Sequence, residues 1–323
     1  PHRSLHTMEN PIKIGVSSCL LGNAVRYNGG HARDRFITDT LAHYVEFVPV
    51  CPEVECGLGT PRLTMHLRGD LEHPRLVTTK TGEDQTERMI TWAEGRLGQL
   101  AGEELCGFIF KRNSPSSGME RVKVFNDKGQ PVKKGRGIFA GMFMDRFPRI
   151  PVEEDGRLND PKLRENFIEQ IFAMKRWRET LDQGMTRGNL VRFHTHNKML
   201  LRAHSEPHYR RMGKLVAGDK RRKIEAVYRE YEGELTSALR LKTTIAKHAN
   251  VMMHMLGYFK KDLTGDEKQE MLTIIQEYRK EYVPLIVPLT LFMHYVRKYN
   301  QAYLKQQTYL NPHPTSLKLR NHA

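Results

Sequence analysis

The sequence predicts an α/β domain with a mainly parallel sheet, followed by an all-α domain. Three observations carry that expectation. Over residues 8–150, short β-rich runs alternate with longer helical patterns. Near residue 150 the stretch MDRFPRIPVEEDGRLNDP breaks every pattern with three prolines and an acidic run. Over residues 151–323 apolar side chains recur almost throughout at helical spacing.

In the first half the expected strands are IKIGV, EFVPV, CGFIFK and RVKVFN, and the expected helices are ARDRFITDTLAHYV and TERMITWAEGRLGQLA. In the second, Asp160 and Pro161 stand as N-cap and first helical residue. Phe167, Ile171 and Met174 share a helical face, as do Leu215, Ile224, Val227, Leu235, Leu239 and Ile245 with a break at Gly218. DEKQEMLTIIQEYRKEYV and PLTLFMHYVRKYNQAYL read as further helices, and the tail NPHPTSLKLRNHA as irregular. There is no internal repeat. Residues 1–7, PHRSLHT, precede Met8 and read as an appended remnant, outside the fold argument.

A chain of 323 residues with 39% hydrophobic and 8% aromatic content buries ordinary cores rather than remaining disordered. No apolar run approaches the roughly 18 to 20 residues of a membrane span, and no signal-peptide core opens the chain, so a cytoplasmic protein without a membrane partner is expected. The net charge of +15 calls for a polyanionic partner. It is concentrated in the second half. Residues 1–150 hold 21 Lys and Arg against 17 Asp and Glu, whereas residues 151–323 hold 31 against 20. No protein partner is implied.

Four cysteines in such a chain make no disulfide framework. In an open parallel sheet, ligands gather beyond the carboxyl ends of the strands. Three loops leaving such ends carry unusual chemistry: SSCLLGNAVRYNGG with Cys19, CPEVECGLGTPR with Cys51 and Cys56, and RNSPSSGMER with Ser114, Ser116 and Ser117. Cys106 begins its strand, about 20 Å from that edge at roughly 3.3 Å per residue, and reads as buried packing. Three thiolates at one rim can hold a 4Fe-4S cluster through three of its irons, leaving the fourth open to substrate. An open three-thiolate zinc site, ordinary packed thiols and a nucleophilic cysteine remain the alternatives on spacing alone.

CLLG with RYNGG, CPEV followed by GLGTPR, and KRNSPSSGMERVKVF, in that order, resemble the TudS family of thiouracil desulfidases over residues 11–145. The helical remainder, with LVRFHTHNKMLLRAHS, resembles the domain fused to it in RudS-type tRNA 4-thiouridine desulfidases. The resemblance implies non-redox removal of sulfur: the open iron of a 4Fe-4S cluster takes the thiocarbonyl sulfur while water replaces it on the pyrimidine. It implies Cys19 and Cys51 as cluster ligands, Glu53 as proton shuttle and Ser114 as catalytic hydroxyl. TudS domains usually carry SPSCG, whose cysteine is the third ligand, where this chain has Ser117. Either Ser117 is a substitution that weakens the cluster or the third ligand has moved to Cys56, and Cys56 is the expected replacement, since it is a thiol in the loop that holds Cys51.

Glu53 has a plainer reading as a carboxylate capping a helix or pairing with Arg62, and Ser114 and Ser116 as turn residues around Pro115. His194 and His196 are two residues apart and face different sides of a helix, so with His204 they read as packed or RNA-facing histidines rather than metal ligands. Met252, Met253 and Met255 read as core. Lys220, Arg221, Arg222 and Lys223 form the densest basic run, and with Arg26, Lys111 and Arg112 near the site loops they are expected to contact phosphates of a tRNA. Tyr27, Tyr209 and Tyr228 are candidate stacking partners. The expected activity is desulfuration of tRNA 4-thiouridine to uridine and sulfide. Action on free thiouracil or thionucleosides, or non-catalytic nucleic-acid binding around a structural metal or redox-sensing cluster, stand beside it.

Overall fold

The structure, a computed structural model, describes residues 11–321; the reading of residues 1–7 lies outside the described residues. In chain order the first unit contains β1 (Ile12–Ser17), β2 (Val45–Val50), the one-turn helix α1 (Pro52–Glu55), β3 (Met65–Arg68), β4 (Arg75–Thr78) and α2 (Thr86–Ala101). There follow β5 (Gly107–Phe110), β6 (Val122–Phe125), β7 (Pro131–Gly135), α3 (Ile138–Arg146) and β8 (Val152–Glu154).

The main sheet has the order β2-β1-β5-β8 and every pairing in it is parallel. β5 is buried at all positions, as the near-continuous apolar run of a covered parallel strand requires. Gly15 lets the Phe108 ring lie against the backbone of β1, where a side chain would collide with it. Phe108, Phe110, Phe139 and Phe143 then form an aromatic core with Ala93, Leu97 and Leu100 of α2. From β1 the chain steps to β2 on one side and later returns to β5 on the other. Sheet order therefore reverses between β1 and β5, where ligand-binding loops converge in such folds.

A second sheet, β4-β3-β6-β7, was not legible as such. Its strands are four or five residues long and mostly charged on one face, so only RVKVFN stood out as a strand. Leu67, Leu76, Val122 and Val124 on its inner face pack with Met89. ARDRFITDTLAHYV does not become an α-helix: it forms a five-residue π turn, Phe36–Thr40, and a 3-10 turn, Leu41–His43. The Thr38 hydroxyl donates to the Asp34 carbonyl at 3.0 Å, and Asp34 Oδ1 accepts from Ile37 N at 3.1 Å. Such local bonds compete with helix propagation, and Ile37, Thr38 and Thr40 add β-branched stiffness.

The first unit closes at Asn159, not near residue 150, because β8 pairs with β5 as an edge strand of the main sheet. The second unit begins at Asp160, whose carboxylate accepts from Lys162 N and Leu163 N and caps α4 (Pro161–Asp182). It continues through α5 (Arg187–His196), α6 (Lys198–His204), α7 (Glu206–Ala217), α8 (Ile224–Arg240), α9 (Ile245–Leu256), α10 (Gly265–Arg279), α11 (Ile286–Lys298) and the short α12 (Ala302–Lys305). Trp177 stacks on Tyr231 within its core at 5.3 Å between ring centres. Among the described residues, no helix is long and apolar enough to cross a membrane.

Candidate active site

A cavity of about 450 Å³ opens at the carboxyl ends of β1, β2 and β5. β1 delivers Cys19 through a 3-10 turn, Ser18–Leu21. β2 delivers Cys51, the N-cap of α1, and the first turn of that helix carries Glu53. β5 delivers the 111–117 loop. Cys19, Cys51, Glu53, Ser114, Ser117, Arg26, Lys111 and Arg112 all line this cavity.

Glu53 is the most elaborately held of them. Its Oε1 accepts from Ser116 Oγ at 2.5 Å and from Ser114 Oγ at 3.4 Å, while its Oε2 lies 3.7 Å from Arg62 Nη2 and 3.6 Å from Cys51 Sγ. The carboxylate thus carries both readings suggested by the sequence, the pairing with Arg62 and a place in the cavity. Arg62 is fixed in turn by donating to the Val25 carbonyl at 2.9 Å. Ser116 is fully buried, and nothing in the sequence ranked it above its neighbours. The SPSSG loop turns tightly: Ser114 Oγ accepts from Ser117 N at 3.1 Å, and Gly118 N donates to the Ser114 carbonyl at 2.8 Å. Gly137 seals it, since a side chain there would come within 2.5 Å of the Ser116 carbonyl carbon and 2.8 Å of Gly118 N.

Cys56 is not brought to the cavity. It ends α1, its Sγ lies on the Glu53 carbonyl at 3.3 Å, and its side chain packs with the inner face of the second sheet. Cys51 is extended ahead of α1 and lines the cavity, whereas Cys56 caps the other end and packs on the second sheet, so the two side chains diverge. Ser117, 3% exposed, lines the cavity instead. Cys106 is buried, its amide donating to the Lys13 carbonyl at the far end of β5.

Burial pushes the Cys19 thiol up to about 11, against the opposing pull of Lys111 and Arg26. Burial and then Glu53 push Cys51 up to about 12. Thiols this high are poor nucleophiles at neutral pH, and a bound metal would be what deprotonates them. Two thiols and a hydroxyl on one wall suit a soft metal centre rather than calcium or magnesium. The thiols of Cys19 and Cys51 are donors of the kind that an iron–sulfur cluster takes.

The cavity mouth is basic, but its cations are not all free. Lys111 Nζ pairs with Asp155 at 2.8 Å, and Asp155 also accepts from Arg112 N at 2.7 Å. Lys220, Arg221, Arg222 and Lys223 lie in the second unit, exposed in the turn between α7 and α8; Arg222 pairs with Glu230 at 2.6 Å. Tyr27 is exposed and Tyr209 half-buried against His194. Tyr228 is buried and donates to the Thr186 carbonyl, so it offers no face for stacking. His194 bonds Tyr231 OH at 3.1 Å and His204 bonds Glu169 at 3.2 Å, both as packed histidines. Met252 and Met255 are core, while Met253 is exposed.

Residues 14–155 match the family described as 2-thiouracil desulfurase, and residues 198–314 match the one described as protein of unknown function (DUF1722). The chain is 30% identical over 165 residues to the uncharacterized protein YbgA of Escherichia coli (strain K12), covering 51% of this chain and 98% of the relative. It is 32% identical over 152 residues to the uncharacterized protein YbbK of Bacillus subtilis (strain 168), covering 46% and 98%. A solved structure described as a 4Fe-4S-dependent thiouracil desulfidase TudS is 29% identical and covers 46% of this chain and 93% of its own, with a TM-score of 0.38. This chain belongs to the 2-thiouracil desulfurase (TudS) family, with its α/β domain followed by a helical domain of the DUF1722 family.

Proposed function

We propose that this protein removes the sulfur of 4-thiouridine in tRNA, leaving uridine and sulfide. The observation that carries the reading is the meeting of Cys19, Cys51 and Glu53 on one cavity inside the region matched to the desulfurase family. Cys19 and Cys51, with Ser117 in the third place, would hold a 4Fe-4S cluster, which would supply the Lewis acid for sulfur. The remaining work belongs to the protein. Glu53 accepts a proton as water adds to the pyrimidine carbon, and returns it to the departing sulfide, so that C=S and H2O become C=O and H2S. Ser116 and Arg62 keep the carboxylate aimed while Ser114, on the same oxygen, offers its hydroxyl to the reacting ring.

Transfer RNA is favoured as substrate by the charge of residues 151–323, where 31 Lys and Arg face 20 Asp and Glu, a surplus that a free base does not use. A stacked 4-thiouridine must be turned out of the RNA to enter the cavity, at a cost of a few kcal/mol that phosphate contacts offset. The test is sulfide release, after anaerobic cluster reconstitution, from tRNA carrying 4-thiouridine and from free 2-thiouracil. Turnover on tRNA that disappears in Glu53→Gln supports the proposal. Turnover on the free base alone assigns a small-molecule desulfidase, the reading favoured by the family description. A parent that releases sulfide from neither substrate sinks both and favours a binding protein with a structural metal, and a Glu53→Gln variant as active as the parent removes the role given to Glu53.

A further inference from the structure

The outer face of the second sheet carries charge that its own fold does not explain. Leu67, Leu76, Val122 and Val124 face the core, and the alternate residues Arg68, Arg75 and Lys123 are exposed, although Val77 of β4 is buried. Register then sets Lys123 of β6 directly opposite Lys133 of β7, and Arg68 of β3 opposite Arg75 of β4. Like charges in directly opposed cross-strand positions destabilise a sheet. Asp84 neutralises Arg75 at 2.8 Å, and Asp127, almost fully exposed, stands 3.9 Å from Arg68. Lys123 and Lys133 are exposed and have no ion-pair partner among the described residues. Lysine is common on edge strands, where it discourages pairing with other chains. That accounts for Lys133 on β7 but not for Lys123 or Arg68, because β3 and β6 are the two inner strands. Phe125 lies between them, half-buried and edge-on to His66 at 5.0 Å.

The position of this face matters as much as its charge. β3 starts at Met65, which lines the active-site cavity, and β6 starts five residues after Ser117, which also lines it. The basic face therefore begins at the cavity rim and runs outward for about 10 Å along the strands.

We propose that the outer face of β3, β6 and β7 is a docking surface for the RNA phosphate backbone, with Arg68, Lys123 and Lys133 as its phosphate contacts. RNA laid along it enters the cavity from the side of Met65. Backbone contact of this kind is independent of sequence and positions the strand without reading bases. The inference rests on the tRNA reading above and locates a second electrostatic contact, on the catalytic domain itself.

The test is tRNA affinity of the full chain as a function of salt, for the parent and for the double variant Lys123→Gln/Lys133→Gln, with desulfuration of a free 4-thiouridine nucleoside measured alongside. The expected result is a salt slope lower by about 1.4 to 1.8 and an affinity roughly tenfold weaker near physiological salt. Nucleoside turnover stays at the parent level, and thermal stability is equal or higher because the opposed lysines are gone. An unchanged slope and affinity in a parent that does bind tRNA overturns this surface and leaves the substrate reading standing. A parent that binds no tRNA overturns both. Loss of binding to phosphatidylserine vesicles in the variant, with tRNA binding intact, overturns it in favour of a membrane surface.

Discussion

Ser116 Oγ donates to Glu53 Oε1 at 2.5 Å across 63 positions of sequence, tying the loop after β5 to the helix after β2. The bond lies beneath the cavity, since Glu53 lines it and Ser116 does not. Ser116 is thus a positioning residue. Ser116→Ala is expected to lower kcat about tenfold with KM and iron content unchanged, and Ser116→Thr to restore part of it. Glu53→Gln, which removes the proton acceptor, should cost about 10²- to 10⁴-fold. A Ser116→Ala enzyme with parent kcat would remove the role assigned to that bond.

Iron and acid-labile sulfide per chain discriminate the cluster ligands. Cys19→Ala and Cys51→Ala should each lose the cluster, whereas Cys56→Ala should keep it, because the Cys56 thiol lies on the Glu53 carbonyl and outside the cavity. Ser117→Cys adds a third thiolate to the wall and should slow cluster loss in air. Iron lost from Cys56→Ala would return that residue to the ligand set.

Gly137→Ala tests the seal on the SPSSG loop. The added carbon meets backbone atoms of Ser116 and Gly118, which cannot move as a flexible side chain would. A lower urea midpoint, corresponding to about 1–3 kcal/mol, and a loss of activity beyond that of a surface Gly→Ala control are expected.

Acid should weaken the helical domain before the pH at which ordinary carboxylates protonate. Burial holds His194 and His313 down to about 4 and His248 down to about 3. Their folded pKa values lie below the ordinary value near 6.5, so the stability they contribute is complete above 6.5 and is lost as the pH falls towards 4, the unfolded chain binding the extra protons. Glu165, pushed up by burial and by Glu169, acts in the opposite direction over part of that range. His208 and His254 are also held down by burial, so the depressed histidines outnumber Glu165 and the net effect of acid is destabilising. Urea unfolding between pH 7.5 and 5 should show it, and His248→Gln should reduce the pH dependence by about one proton.

Replacing Lys220, Arg221, Arg222 and Lys223 together by Gln should weaken tRNA binding and lower its salt slope, without changing turnover of a free nucleoside. Arg222 is already paired with Glu230, so the loss in slope should correspond to fewer than four phosphates. Equal tRNA binding in the parent and this variant would remove the basic run from the interface.

β1, β2 and β5 of the main sheet were legible because they are short apolar runs, and α2 because TERMITWAEGRLGQLA carries an uninterrupted helical period, whereas the acidic β8 was not. The second sheet was hidden apart from VKVF: in MHLR alternation lasts only four residues, and the charged half of the pattern reads as loop. The meeting of the loops could be anticipated from the rule that ligands gather at strand carboxyl ends, and Cys19, Cys51, Glu53 and Ser114 do line one cavity. Cys56 was misplaced because proximity along the chain says nothing about the direction in which one turn of helix sends a side chain.

By itself, then, the sequence determined three strands of the main sheet, the helix α2, the division into an α/β and a helical part, and which three loops share an edge, because these follow from apolar periodicity and from the polarity of parallel strands. Only the tertiary structure decided that Ser117 rather than Cys56 faces the cavity, that Ser116 and Arg62 together hold Glu53, and that Lys123 stands opposite Lys133. Those relations depend on helical phase, on a loop locked by the close approach of Gly137, and on strand register, none of which is written in the spacing of residues along one chain.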